Sequence, residues 1–142
     1  MYTMDDVFGA YQQRKAELDA SANPLSKGVA WVDDEFVPIA EARVPMLDQG
    51  SLACDLTYDV PAVWDGRFFR LDDHLDRLDE SCEKMRLRNP LDREATRSKL
   101  VEMIETSGLR DAYVELIVTR GLKFVREYKT APNNIYLLAL PY

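Results

Sequence analysis

The dipeptide Asp65-Gly66 lies between two apolar runs, Pro61-Ala62-Val63-Trp64 and Phe68-Phe69, and few sequence features restrict a chain more tightly. A two-residue hairpin whose twist matches its strands takes a type I′ turn, which needs positive φ at both central positions, and Asp-Gly accepts that at low steric cost. Trp64 and Arg67 are thereby committed to adjacent antiparallel strands, with Phe68 to Leu71 as the return strand. Directly afterwards the apolar period lengthens. Leu71, Leu75, Leu78, Cys82 and Met85 make one stripe of a helix that Asp72 or Asp73 can cap and that stops before Asn89-Pro90. A hairpin feeding straight into a helix argues against repeating strand–helix–strand units and for an α+β domain with a largely antiparallel sheet.

The rest of the chain agrees. Met4, Val7, Phe8, Tyr11 and Leu18 recur at helical steps, which predicts an amphipathic N-terminal helix lying on a partner, another chain included. Asn23-Pro24, Ser26 and Gly28 end that pattern, and Val29–Val32 and Phe36–Ile39 flank the acidic turn Asp33-Asp34-Glu35 as a hairpin would. A second break at Pro45 and Leu47-Asp48-Gln49-Gly50 precedes an extended stretch from Leu52 to Trp64, in which Pro61 implies an edge position or a bulge. A second helix is expected from about Asp92 to Ser107, turning Leu100, Val101 and Ile104 inward, with Gly108 as its C-terminal stop. From Asp111 to Thr119, Ala112, Val114, Leu116 and Val118 alternate with Tyr113, Glu115 and Ile117, and Ile135–Leu140 reads as the last strand. Gly121 to Asn134 is a polar loop longer than a connector needs.

Composition narrows the function. With 142 residues, 46% apolar and 30% charged, the chain suits one folded domain, and its net charge of −7 argues against a nucleic-acid footprint. Cys54 and Cys82 with the single His74 are too few ligands for structural zinc, and are expected to be buried free thiols. Residues 1 to 19 lack the form of a secretion signal and no stretch is long and apolar enough to span a membrane, so a soluble, cytoplasmic protein is expected.

No nucleophile elbow, glycine-rich phosphate loop or Ser/His/Asp set is present. Arg77, on the opening turns of its helix and three residues after His74, has forked donors suited to a phosphate; the structural alternative is an ion pair with Asp73 or Glu80. Tyr58 sits among polar neighbours on a strand, where it serves as a pocket hydroxyl or as a half-buried strand tyrosine. Glu115, flanked by Val114 and Leu116, is either a buried carboxylate with a partner or a residue of a solvent-facing edge strand. Lys123 and Arg126 offer an anion contact in the long loop or merely solvate it, and His74 reads as a helix-start residue rather than a catalyst.

Taken in order, Pro45-Met46-Leu47-Asp48-Gln49-Gly50, Asp55-Leu56-Thr57-Tyr58-Asp59-Val60, Trp64-Asp65-Gly66-Arg67, Phe69-Arg70-Leu71-Asp72-Asp73-His74-Leu75 with Arg77, Glu115, and Val118-Thr119-Arg120-Gly121 resemble the N-terminal half of class IV aminotransferases, the fold-type-IV pyridoxal-phosphate enzymes. Within them the chain looks most like the fungal (R)-selective amine transaminases, which share the helical leader, the Asn-Pro-x-Ser-Lys-Gly run at Asn23 to Gly28 and the ending Asn-Asn-Ile-Tyr-Leu-Leu. The resemblance implies that Arg77 contacts the pyridoxal 5'-phosphate and that Tyr58, Val60, Tyr113 and Glu115 line the substrate pocket. It also implies that Arg126 lies on a loop able to meet a substrate carboxylate. Ala53, where the relatives have histidine, and Tyr113, where they have phenylalanine, depart from the pattern.

In this family the lysine that forms the Schiff base comes from a second, C-terminal domain, and none of Lys15, Lys27, Lys84, Lys99, Lys123 and Lys129 matches it. The expectation is therefore a helical leader over residues 1–22 and a small α+β domain over 23–142, with the C-terminal domain as a missing partner. The parent enzyme would be a homodimer moving an amino group between an (R)-amine or D-amino acid and a 2-oxo acid such as pyruvate, while this chain alone would be inactive. The rivals are a D-amino-acid or branched-chain aminotransferase, an aminodeoxychorismate lyase, and a non-catalytic module that self-associates.

Overall fold

The computed structural model describes residues 3–122 and 132–142. Helix α1 (Met4–Ala20) starts at Thr3, whose hydroxyl accepts from the Asp6 amide while the Asp6 carboxylate accepts from the Thr3 amide, a closed capping box. None of its residues is buried, and Met4, Val7, Phe8 and Tyr11 all face solvent. Of the predicted stripe, Leu18 packs against the core, while the other four members lie exposed. Arg14, which donates to the Tyr142 carbonyl and pairs with Asp111, is a tie from the helix to the domain.

Strands β1 (Val29–Val32) and β2 (Glu35–Pro38) form the expected hairpin, with Asp33 and Asp34 both at positive φ. The stretch expected to be extended from Leu52 begins differently: α2 (Gln49–Ala53) is a single helical turn. Asp48 nucleates it by accepting from the Gly50 amide, and Cys54, left-handed at φ 54°, ends it. Cys54 is exposed rather than buried, while Cys82 is buried as expected.

Strands β3 (Leu56–Asp59) and β4 (Ala62–Trp64) follow. Both pair with β6 (Ala112–Thr119) in one register, Asp59 opposite Leu116 and Ala62 opposite Tyr113. They are one strand interrupted at Val60-Pro61. Pro61 accepts from the Val114 amide but has no proton to return, so the ladder loses one bond there. The Asp65-Gly66 turn is as expected, φ being 50° and 74°. Its return strand β5 is only Arg67–Phe68, because Arg70 turns left-handed and starts α3 (Leu71–Met85) two residues later.

Neither Asp72 nor Asp73 caps α3. Arg70 holds that position with no capping bond from its side chain, which pairs with Asp73 instead, and both carboxylates lie in the first turn, where the helix dipole favours them. Asp72 instead binds Arg93 and Arg97 of α4 (Arg93–Ser107), pinning the two helices together. Asp92 caps α4 through the Ala95 amide, and Gly108 ends it at φ 70°. Its inner stripe is Leu100, Met103 and Ile104; Val101 is exposed instead.

The final strand, β7 (Asn134–Pro141), completes an antiparallel sheet in the order β2-β1-β7-β6-β4-β5, with β3 also beside β6. Leu75, Leu78, Leu100 and Met103 pack on Val63, Val114, Leu116, Val118 and Leu137, so α3 and α4 fill one face of the sheet. The opposite face carries a smaller cluster, Ala30, Val32 and Tyr136, on which Val37, Ile39, Ala42, Ile117 and Leu138 pack; neither α3 nor α4 lies on it, and α2 reaches only its end at Thr119 and Tyr136. This matters for Glu115. Its strand lies between β7 and β3/β4, so the edge-strand alternative does not hold.

Candidate functional site

Four of the candidate residues, Tyr58, Val60, Tyr113 and Glu115, come together on the sheet face away from α3 and α4. Burial from Thr57 to Val63 alternates strictly, with Thr57, Asp59, Pro61 and Val63 inside and Tyr58, Val60 and Ala62 less buried. Tyr58 opposes Ile117 and Ala62 opposes Tyr113, so in the same register Val60 opposes Glu115. Tyr58, Val60, Tyr113 and Glu115 therefore form one contiguous wall. Tyr58 is 57% exposed, more open than a half-buried strand tyrosine. The Tyr113 hydroxyl donates to Glu115 Oε2 at 3.0 Å, the partner that the carboxylate needed. Burial, then the hydrogen bond to Glu115, pushes the Tyr113 phenol above its ordinary range.

Arg77 stands on the other side of β3, against the neighbouring Asp59. Its Nε donates to Asp59 Oδ2 at 2.6 Å and its Nη2 to Oδ1 at 2.9 Å. The ion pair with Asp73 or Glu80 does not form, since Asp73 binds Arg70 and Glu80 binds Lys84. His74 Nδ1 lies 2.6 Å from Asp59 Oδ1. A carboxylate only accepts, so that nitrogen carries the proton, and its 3.2 Å approach to Arg77 Nη2 is a contact between two donors. The Val60 amide also donates to Oδ1, at 2.7 Å. Burial alone would raise the Asp59 carboxyl, but the bonds from Arg77, His74 and Val60 outweigh it and hold the group below the ordinary carboxylate range.

Sequence reasoning assigned no role to two carboxylates. Asp59 carried a signal, an acidic residue at an inward position of an otherwise apolar alternation. Asp48, fully buried, accepts from the Gly50 amide, Thr119 Oγ1, Asn134 Nδ2 and the Tyr136 hydroxyl at 2.8–2.9 Å, tying α2 to β6 and β7. The break at Leu47-Asp48-Gln49-Gly50 hints at its bond to the Gly50 amide, but nothing along the chain marks its other partners, which are up to 88 positions away. Lys123 and Arg126 lie outside the described residues. The hollows beside α1, lined by Arg14, Leu18 and Asp111 or by Val7, Tyr11 and Tyr142, include none of the wall residues. Among the described residues no group of acidic, histidine or cysteine side chains could hold a metal, and no helix is long and apolar enough to cross a membrane.

The family model of amino-transferase class IV matches residues 56–142, from the start of β3 through the wall, Asp59 and Arg77 to the end of β7. The chain belongs to the class IV aminotransferases. Among the relatives of this class IV chain, a branched-chain-amino-acid aminotransferase-like protein 2 of Arabidopsis thaliana is 32% identical over 97 residues, 63% of this chain and 17% of that protein. A D-alanine aminotransferase of Listeria innocua is 35% identical over 69 residues, 49% of this chain and 24% of that protein. The fold is that of a branched-chain aminotransferase from the thermophilic archaeon Thermoproteus uzoniensis, at a TM-score of 0.69 and 23% identity, covering 80% of this chain and 40% of that one. The 4-amino-4-deoxychorismate lyase of Pseudomonas aeruginosa superposes with a TM-score of 0.62 and 28% identity, over 80% of this chain and 39% of that one. The class IV chain thus spans less than half of these solved relatives and about a quarter or less of these curated ones.

Proposed function

We propose that this chain supplies the substrate-pocket wall and one phosphate contact of a pyridoxal-phosphate transaminase acting between an (R)-amine or D-amino acid and a 2-oxo acid such as pyruvate. The observation that carries the reading is the placement of Tyr58, Val60, Tyr113 and Glu115 side by side on the sheet face that the protein's own helices leave open. Bound pyridoxal phosphate supplies the electron sink for amino transfer. The residues present fit part of that group. Arg77 spends its Nε/Nη2 edge on Asp59 and keeps its Nη1/Nη2 fork, on a side chain 64% exposed, for a phosphate oxygen.

The wall has its own work. Tyr58 and Val60 bound the space open to a substrate side group, and Glu115, held by the Tyr113 hydroxyl, sets a negative charge where an ammonium can approach. The described lysines stand elsewhere: Lys27 pairs with Asp19, Lys84 with Glu80, Lys99 with Glu102, and Lys15 lies on α1. The proposal also assigns residues 1–22 to a leader and 23–142 to a small domain, and assigns the cofactor-holding lysine to a further C-terminal domain. In this reading the 142 residues alone transfer no amine, the working enzyme is a cytoplasmic homodimer, and Arg126 meets a substrate carboxylate.

A second reading, D-amino-acid transfer, is favoured by the identity to the D-alanine aminotransferase. The test compares the 142-residue chain alone and joined to a class IV C-terminal domain, with pyruvate as acceptor for (R)- and (S)-1-phenylethylamine and with 2-oxoglutarate as acceptor for D-alanine. Turnover only in the joined form, and with the (R)-amine, supports the proposal. Preference for D-alanine favours the second reading, and transfer by the chain alone overturns the placement of the lysine.

A further inference from the structure

Asp59 is the least accessible member of its cluster, 3% exposed, yet the side chain it binds is among the more open ones. A bidentate carboxylate fixes a guanidinium in plane and direction, and the edge used here leaves the end-on fork unoccupied by Asp59 on a side chain that is largely exposed. The carboxylate is itself fixed. His74 Nδ1 and the Val60 amide hold Oδ1 from the helix and from the strand, so Asp59 cannot swing to follow Arg77. The result is a relay of orientation, in which His74 and Val60 hold Asp59, Asp59 holds Arg77, and Arg77 is left with one fork for an oxyanion.

We propose that Asp59 and His74 are positioning residues that pre-orient Arg77 for a phosphate-bearing ligand, a role that rests on reading Arg77 as the phosphate contact. Two effects oppose each other at Asp59. Its negative charge lowers the pull of the site on an anion, while its hydrogen bonds remove the cost of immobilising a long, rotamer-rich side chain when the anion arrives. Much of that charge effect is screened by water around the exposed fork, whereas the ordering cost is worth about a threefold to tenfold change in affinity. Ordering wins, and the sign follows: removing a negative charge weakens anion binding.

The experiment titrates inorganic phosphate into the 142-residue chain and follows the Arg77 Nε–H resonance, with the dispersion of the amide spectrum as the check of folding. In the wild-type chain the Nε–H signal is shifted downfield and exchanges slowly before any anion is added, and phosphate moves it further. Asp59→Asn is expected to lose the slow exchange and to bind phosphate about threefold to tenfold more weakly. His74→Asn, which keeps a donor near the place of Nδ1, is expected to retain both properties, whereas His74→Leu loosens both. Equal or tighter binding by a folded Asp59→Asn overturns the positioning role while leaving Arg77 a phosphate contact. A wild-type Arg77 signal that phosphate leaves unmoved overturns that reading and the positioning role with it. If Asp59→Asn does not fold, the contrast between His74→Asn and His74→Leu decides, and equal behaviour of the two overturns the proposal.

Discussion

Tyr113 makes one hydrogen bond that phenylalanine cannot, and it is aimed at the only carboxylate on the four-residue wall. Tyr113→Phe is expected to cost less than about 1 kcal/mol of stability, because Glu115 is half-exposed and water can replace the hydroxyl. In the joined enzyme the same change is expected to alter the ratio of kcat/KM between amine donors while leaving retention of pyridoxal phosphate unchanged. Asp59 adds a pH dependence. Its carboxyl binds a proton less tightly in the folded chain than in the unfolded one, so its contribution is complete above the ordinary carboxylate range and falls away as pH drops through the lowered folded value. Urea midpoints measured from pH 6 down to about 3 should fall less steeply in Asp59→Asn than in the wild-type chain. Asp48→Ala is expected to be severe, at least about 3 kcal/mol, since it strands donors from three segments in a fully buried position.

Elements whose cause is local were legible in the sequence. Asp65-Gly66, Asp92 and Gly108 state a turn, a start and a stop in one or two residues each, and the structure places all three as expected. Where the cause was distant, the reading slipped. Leu52 and Ala53 look extended because β-branched and aromatic residues follow them, but Asp48 winds that segment into a turn under constraints from Thr119 and Tyr136. Arg77 was found by its place on the helix, yet its partner comes from a strand 18 positions earlier, beyond any rule of helical spacing. The helix α3 itself should be a sensitive element, because its stripe of Leu71, Leu75, Leu78 and Cys82 is buried in the core against the sheet. Leu78→Ala is expected to cost about 2–5 kcal/mol, read as a lower urea midpoint, against well under 1 kcal/mol for Glu80→Ala on the solvent side.

At the scale of the whole molecule, two surfaces stay open among the described residues, the outward side of α1 at Met4, Val7, Phe8 and Tyr11 and the strip of the sheet around Tyr58. The core between the sheet and α3/α4 is continuous, so the 142-residue chain is expected to unfold in one cooperative step, with calorimetric and van't Hoff enthalpies in agreement. Self-association through the α1 stripe is expected in solution. Light scattering should give a mass above 16.3 kDa, and Phe8→Glu should return it to that of one chain.

The alternation along β6 separates two kinds of mutational freedom. Val114, Leu116 and Val118 are fully buried against the helices, and each has a wall or open-face neighbour, Tyr113, Glu115 or Ile117, one residue away. A codon change at an inward position is tested first by folding, whereas one at the partly exposed Tyr113 or Glu115 removes at most their mutual hydrogen bond from the interior. A gene carrying such a strand can therefore vary at positions 58, 60, 113 and 115, and with them the surface the sheet presents, at less risk to the fold than at the inward positions. Recombination that moves the strand intact carries a working scaffold and an editable surface in the same few codons.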